Sequence, residues 1–153
     1  IKAASLYNHI QSKQEILSTI IIDLAEEFTT GMDQIATSEE TTIQKLENII
    51  ALHIDVTLRN ADGLASLNND WMHLEEKNLQ YFEKMRHEYE ENFSDIIRKG
   101  VKEKEIKPYN IDIMVFSTLS TLRTLYLWYP KQGTIDAEIL KKDMISVLLK
   151  GVI

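Results

Sequence analysis

Residues 6–17 read LYNHIQSKQEIL, and the second half of this stretch has the pattern of a helix start. Ser12 supplies a hydroxyl N-cap and Glu15 follows three residues later, which is the capping-box pattern. The residues before Ser12 read as the end of a short preceding helix that stops near Gln11. The sequence therefore predicts two helices that meet at a tight turn.

The predicted turn is locally basic, although the chain is acidic. Tyr7, His9 and Lys13 are side chains that can contact phosphates, and no acidic residue occurs between Ile1 and Gln14. The whole chain carries a formal charge of −7. Because DNA binding needs a basic surface, this net charge restricts any DNA-binding role to a small part of the chain, and the rest must have another function.

The stretch from Ala4 to Leu17 resembles the TetR (tetracycline-repressor) family of transcriptional regulators. In that family the end of the recognition helix and the start of the next helix read roughly S/T-L-Y-x-H-F-x-S-K-E-x-L. The Leu, Tyr, His, Ser, Lys and final Leu all match, and Ile10 replaces the usual phenylalanine. The resemblance implies that residues 1–12 are a remnant of a DNA-binding helix-turn-helix and that residues 13–153 form a ligand-binding and dimerisation domain.

The same resemblance implies roles in DNA binding for the first turns of the chain. Phosphate contacts would come from Tyr7, His9 and Lys13, while Lys2 and Ala3 would lie nearer the base edges. A complete helix-turn-helix would need two further helices before this stretch. We therefore expect operator DNA to be bound only when that N-terminal part is present.

Composition indicates one helical domain. A length of 153 residues is enough to bury a sizeable core, and five Gly with two Pro favour an all-α fold. The absence of cysteine excludes disulfides and thiolate metal sites. No apolar run approaches the ~20 residues of a membrane-spanning helix, and no signal peptide opens the chain. We expect a cytoplasmic protein that does not enter membranes.

Apolar residues that recur every three or four positions predict a series of helices. They cover about residues 13–30, 43–58, 64–76, 79–100, 111–129 and 137–151. Gly31 is predicted to end the first, and an N-cap is expected within residues 37–41. Lys107-Pro108 marks a further boundary because the residue before proline is disfavoured in a helix. Residues 130–133 are predicted to form the last turn.

The last two predicted helices, Ile111–Tyr129 and Ala137–Val152, are apolar on more than one face. A surface helix needs only one apolar stripe, so the second stripe must contact something else. A second copy of the same pair would give a four-helix dimer interface with twofold symmetry. The alternative is that both helices are central in the core of a monomer.

The middle helices supply large or polar-tipped residues at inward positions, which suits a cavity for a mostly apolar ligand. His53 interrupts an aliphatic stripe, and Arg123 stands in a long stretch without other charges. Trp128-Tyr129 before a Gly-containing turn is similar to TetR-family members that sense acyl-CoA, which favours a fatty acyl or acyl-CoA-like effector. The candidate ligand-binding residues are His53, Trp71, Met72, Phe82, Met85, Tyr89, Phe93, Arg123 and Tyr126.

Two other classes of function remain open from the residues alone. One is an all-helical interaction module without a ligand, in which the aromatic residues are core. The other is a helical metalloenzyme that uses His53, His73 or His87. The His-to-Glu order on the helices is reversed from that of helical dimetal sites, and no phosphate loop or HExxH motif occurs. We therefore expect no catalytic residue, no metal and no cofactor.

The favoured hypothesis is a TetR-like transcriptional regulator, a repressor, that forms a homodimer. An apolar effector would lie beside the helix that begins at Lys13 and shift it. In a dimer this shift would change the separation of the two recognition helices, which must match half-sites about 34 Å apart.

Overall fold

The computed structural model describes residues 2–131, 133 and 135–153, and the described residues form helices without any strand. The all-α prediction is confirmed. Two short 3₁₀ turns, Trp71–His73 and Tyr129–Lys131, follow the third and fifth helices. Ile1 and Gln132, for which a helix and a turn are predicted, lie outside the described residues. The α-helices are α1 Ala3–Thr37, α2 Thr42–Arg59, α3 Ala61–Asp70, α4 Glu76–Lys102, α5 Ile111–Trp128 and α6 Ala137–Lys150.

Side-chain caps begin several of these helices. The Thr41 hydroxyl accepts a hydrogen bond from the Gln44 backbone N–H, and the Gln44 side chain accepts one from the Thr41 backbone N–H. This reciprocal pair is a capping box, and it confirms the N-cap expected within residues 37–41. Asn60 ends α2 and caps α3, and Asn110 caps α5. The boundaries of α2, α5 and α6 lie close to the predicted ones, whereas the helix predicted over residues 64–76 ends at Asp70 and is followed by the Trp71–His73 turn.

Helix α1 corrects the prediction for the start of the chain. It is one helix of 35 residues, so the predicted turn near Gln11 and Ser12 is wrong. Residues 2–30 contain neither Gly nor Pro, and nothing there prevents the backbone hydrogen bonds from continuing across Ser12. The capping pattern at Ser12 and Glu15 is only a local preference, which a continuous run of helix-compatible residues overrides.

Gly31 does not end α1, as its sequence position suggested, but allows α1 to approach α2. A Cβ atom added at Gly31 would lie 2.7 Å from a terminal methyl carbon of Leu52. Gly100 has a similar role between α4 and α2, because a Cβ atom added there would overlap the Cγ2 atom of Thr42. Both glycines therefore serve close packing between helices.

These two glycines give a matched prediction about stability. Gly31→Ala should be nearly neutral, because the gain of about 1 kcal/mol in helix propensity offsets a small movement of the flexible Leu52 side chain. Gly100→Ala should lower the free energy of unfolding by about 1–3 kcal/mol, because the buried, β-branched Thr42 side chain cannot move away easily. Chemical denaturation of both variants measures the difference. Equal stabilities would contradict this account of the two contacts.

The core has three parts. The largest is formed mainly by α2, α4, α5 and α6 around Phe93, Ile49 and Ile54, and α1 adds Met32 to it. Two smaller clusters lie against α1, one with residues of α4 and the other with residues of α2, α3 and α5. Helix α1 therefore forms one wall of the region between the smaller clusters and the main core, and that region contains the candidate site. No helix in residues 2–131 and 135–153 is both long and apolar enough to cross a membrane.

Helices α5 and α6 leave an apolar face uncovered. On α5, Ile113 and Phe116 are 63% and 71% exposed. Leu127 and Trp128 are exposed near the end of the same helix, and Val147 is exposed on α6. Large side chains with this degree of exposure on neighbouring parts of a surface are typical of a protein–protein contact.

Candidate functional site

A cavity of about 220 Å³ lies between α1, α2, α3, α4 and α5. It is large enough for a small ligand, since an apolar cavity of about 150 Å³ can bind benzene. Most of its lining is aliphatic or aromatic, with a few polar and charged groups. The lining residues are Ala25, Phe28, Thr29, His53, Leu64, Leu67, Asn68, Trp71, Phe82, Met85, Arg86, Tyr89, Leu122 and Arg123.

A buried polar pair lies at the inner wall of the cavity. The Nε2 atom of His53 and the hydroxyl oxygen of Tyr89 share a hydrogen bond of 2.5 Å. The Phe28 ring packs 4.7 Å from the His53 ring, measured between centroids, and meets the Tyr89 ring edge to face. Three rings from α1, α2 and α4 therefore meet here, and they hold one hydrogen-bonded polar group in apolar surroundings.

Both members of this pair are uncharged at neutral pH. Burial, together with the positive charge of Arg123, lowers the pKa of His53 from 6.5 to about 3. Burial raises the pKa of Tyr89 above its usual value. The pair therefore offers a neutral donor and acceptor to a ligand, and it does not attract a counter-ion.

Arg86 and Arg123 form another, charged part of the wall, and Glu90 lies beside them outside the lining. Glu90 accepts a hydrogen bond of 3.0 Å from Arg123 and lies 3.6 Å from the guanidinium of Arg86. The guanidinium of Arg86 also stands over the Trp71 ring, 5.4 Å from its centroid, and Trp71 stacks on Phe82. Since the Arg86 side chain is 42% exposed, this charged wall reaches solvent and forms the outer end of the cavity.

Six of the nine candidate ligand-binding residues line this cavity: His53, Trp71, Phe82, Met85, Tyr89 and Arg123. The other three lie elsewhere. Met72 is 45% exposed in the 3₁₀ turn after α3, Phe93 is buried in the main core, and Tyr126 is buried in a cluster with Leu24 and Val56. Helical periodicity identifies a buried face, but it does not say which neighbour that face meets.

Several lining residues carried no signal in the sequence. Phe28 and Thr29 belong to the helix that was predicted to end near residue 30, and Leu64 and Leu67 look like ordinary core positions. Arg86 keeps the helical spacing of the apolar residues on α4, but that spacing alone does not indicate a cavity. Its position over Trp71 depends on how α3 and α4 meet, and a one-dimensional pattern does not contain that information.

The residues predicted to bind DNA are exposed. Lys2 is the N-cap of α1, and the other four lie on its first turns. At about 100° per residue, His9 and Lys13 lie within about 40° of each other, Ala3 lies about 80–120° from them, and Tyr7 lies about 120–160° from them. The structure therefore brings His9 and Lys13 to one face of α1 and places Tyr7 on the other side.

The three histidines considered as metal ligands lie apart. His53 is inside the cavity wall and bonded to Tyr89, while His73 and His87 are exposed. Within the described ranges no group of three or more His, Cys, Asp or Glu side chains is placed to hold a metal ion. The proposed metalloenzyme therefore has no supporting arrangement of ligands.

Comparison with known protein families adds a match over most of the chain. Residues 39–152 match the family model described as "Tetracyclin repressor-like, C-terminal domain". The chain is also similar to the HTH-type transcriptional repressor KstR2 of Mycolicibacterium smegmatis. The two are 19% identical over 154 residues, which cover 99% of this chain and 75% of that protein.

Solved structures show the same fold. The ketosteroid transcriptional regulator KstR2 of Mycobacterium tuberculosis superposes with a TM-score of 0.85 and 17% identity, covering 99% of this chain and 79% of that one. AibR, solved in complex with isovaleryl coenzyme A and operator DNA, has a TM-score of 0.76 and 17% identity, with 94% and 78% covered. At these identities the similarity establishes the fold and not the ligand.

Proposed function

Because the chain belongs to the tetracyclin repressor-like C-terminal domain family of transcriptional regulators, we propose that it binds a small, mostly apolar effector and dimerises. Residues 13–153 would form the effector-binding and dimerisation domain of a repressor, and residues 1–12 would belong to its DNA-binding part. Members of this family are regulators and not enzymes. The observation that supports the proposal most directly is the cavity between α1 and α5.

The lining of the cavity suits one class of ligand. Its aliphatic and aromatic walls would hold an apolar group, while the His53–Tyr89 pair and the arginines provide a few polar contacts. A volume of about 220 Å³ accommodates a short or medium acyl chain but not a whole acyl-CoA. The isovaleryl coenzyme A bound to AibR supports an acyl group as the buried portion.

Affinity should follow the length of the apolar chain. Titration calorimetry with straight-chain alcohols of increasing length should show Kd falling about threefold to fourfold per added methylene, because each buried methylene contributes about 0.8 kcal/mol. The gain should stop once the cavity is full. Affinity that does not depend on chain length would contradict an apolar cavity site and would favour an interaction module without a ligand.

Leu67→Trp provides the matched structural test. Leu67 lines the cavity, so the larger ring should fill it and weaken binding of every chain by about tenfold or more. Leu58→Trp is the control, because Leu58 lies on the exposed side of α2 and outside the lining. Equal affinities of the two variants would show that the ligand binds elsewhere.

Different helices support the dimer and the response to the ligand. The exposed face of α5 and α6 supports a twofold interface with a second copy. Helix α1 carries Ala25, Phe28 and Thr29 into the cavity wall, and its exposed first turns carry the candidate DNA contacts. An effector that displaces these residues would move the DNA-binding part of α1 and thereby alter the affinity for operator DNA.

A further inference from the structure

The cavity is positively charged, although the protein is acidic. Among the described residues, the charged side chains that line it are Arg86 and Arg123, while the whole chain has a formal charge of −7. His53 is neutral, so it adds no charge. Glu90 lies beside both arginines but outside the lining, and one carboxylate does not balance two guanidinium groups. A net positive charge therefore remains at the outer end of the cavity.

Arg123 is the less exposed of the two arginines that line the cavity. Its side chain is 30% exposed, less than that of Arg86, and its charge acts on the buried His53 ring. Its hydrogen bond to a side chain in the described residues is the one donated through Nη1 to Glu90. A guanidinium can donate two parallel hydrogen bonds to one carboxylate, whereas Arg123 donates a single one to Glu90, so a ligand carboxylate that accepts both can compete with Glu90.

We propose that Arg123 binds the carboxylate of the effector and that Glu90 is a built-in competitor, which this carboxylate must displace. The inference rests on the proposed function, because it assigns the polar end of a ligand whose apolar end fills the same cavity. It defines the effector class as amphipathic organic acids. The contact between Glu90 and Arg123 shows that this guanidinium binds a carboxylate in the folded protein.

Displacement has a structural consequence. Glu90 belongs to α4 and Arg123 to α5, so their hydrogen bond connects these two helices. Helix α5 also carries the exposed apolar face. A ligand carboxylate that takes over Arg123 would break this connection, while Glu90 would retain Arg86 on its own helix at 3.6 Å. Glu90 therefore sets the ligand concentration at which the acid competes successfully.

Titration calorimetry with octanoate and octanol separates the carboxylate from the tail. The unmodified chain should bind octanoate at least about tenfold more tightly than octanol, as expected for a charge-assisted hydrogen bond. Arg123→Gln should remove this preference, so that octanoate and octanol bind with about equal affinity. Arg123→Lys should restore part of the preference because it keeps the charge, and thermal melts would check that each variant is folded.

Glu90→Gln tests the competition. Removing the internal carboxylate should tighten octanoate binding by about tenfold or more without changing octanol binding. Arg59→Gln is the matched control, because Arg59 forms a surface ion pair with Glu27 and is not part of the cavity lining, and it should leave both affinities unchanged.

Each other outcome has a definite meaning. Equal binding of octanoate and octanol, or a preference that survives Arg123→Gln, would overturn the assignment but leave the proposed apolar site intact. If octyl phosphate binds more tightly than octanoate, the polar group of the effector is a phosphate, and the assignment of a carboxylate is wrong. If neither octanol nor octanoate binds, the proposed function itself fails.

Discussion

Phe116→Glu should convert the proposed dimer into a monomer. Phe116 is 71% exposed near the middle of α5, and Arg123 is the sole charged residue of the sequence between Asp112 and Trp128. In a twofold interface the substitution occurs twice and each buried Phe contributes about 1.5–3 kcal/mol, so the Kd of the dimer should rise about a thousandfold. Analytical ultracentrifugation at micromolar concentration measures this change in mass.

The control for this substitution is Ile16→Glu. Ile16 is a large apolar residue with a similarly exposed side chain, but it lies on α1 and outside the proposed interface. Its variant should keep the mass of the unmodified chain. If the Phe116→Glu variant is still a dimer, the interface does not include this face of α5. If the unmodified chain is monomeric at these concentrations, the proposed dimer is wrong.

Acid should destabilise the protein through His53. The folded chain has a pKa of about 3 at this residue, whereas the unfolded chain has the ordinary value of about 6.5. Between these values the unfolded state binds more protons, so stability is lost as the pH falls. The contribution is fully present above pH ~6.5 and disappears towards pH ~3, with a total of the order of 5 kcal/mol.

A double substitution isolates this effect. His53→Leu combined with Tyr89→Phe removes both partners of the hydrogen bond, so the stability at pH 7 should change little. Its unfolding free energy should then fall less steeply between pH 6.5 and pH 4 than that of the unmodified chain. Denaturant unfolding at a series of pH values measures both slopes. Parallel slopes would show that other groups cause the acid sensitivity.

The fold followed from the sequence wherever a local signal coincided with the end of an apolar stripe. Thr41 and Asn60 are such positions, because each combines a capping side chain with a break in the hydrophobic pattern. Ser12 has the capping side chain but no break, and the helix continues through it. The prediction that Gly31 ends the first helix is wrong for a related reason. Its partner Leu52 is on another helix, and the sequence does not distinguish a glycine at a helix–helix contact from one at a helix end.

The candidate site was only partly predictable. His53 and Arg123 stood out because a polar group in an apolar stripe needs a partner, and both now line the cavity. Phe93 belongs to the same helix stripe as Tyr89, yet it lies one turn further along α4, where α5 and α6 cover it. Which turn of a helix faces a cavity depends on where the neighbouring helices cross it, and helical periodicity carries no information about that position.

The unbroken course of α1 gives it the properties of a lever. Its cavity-lining residues, Ala25 to Thr29, are separated from Tyr7 by about 20 residues, or roughly 30 Å at 1.5 Å per residue. With no joint between them, a tilt of about 10° at the cavity would carry the tip sideways by about 5 Å. In a twofold dimer both tips would move, so their total displacement would be a substantial fraction of the ~34 Å between half-sites. The small movement caused by a ligand of a few carbon atoms would thus become a large change in the separation of the two DNA-binding ends.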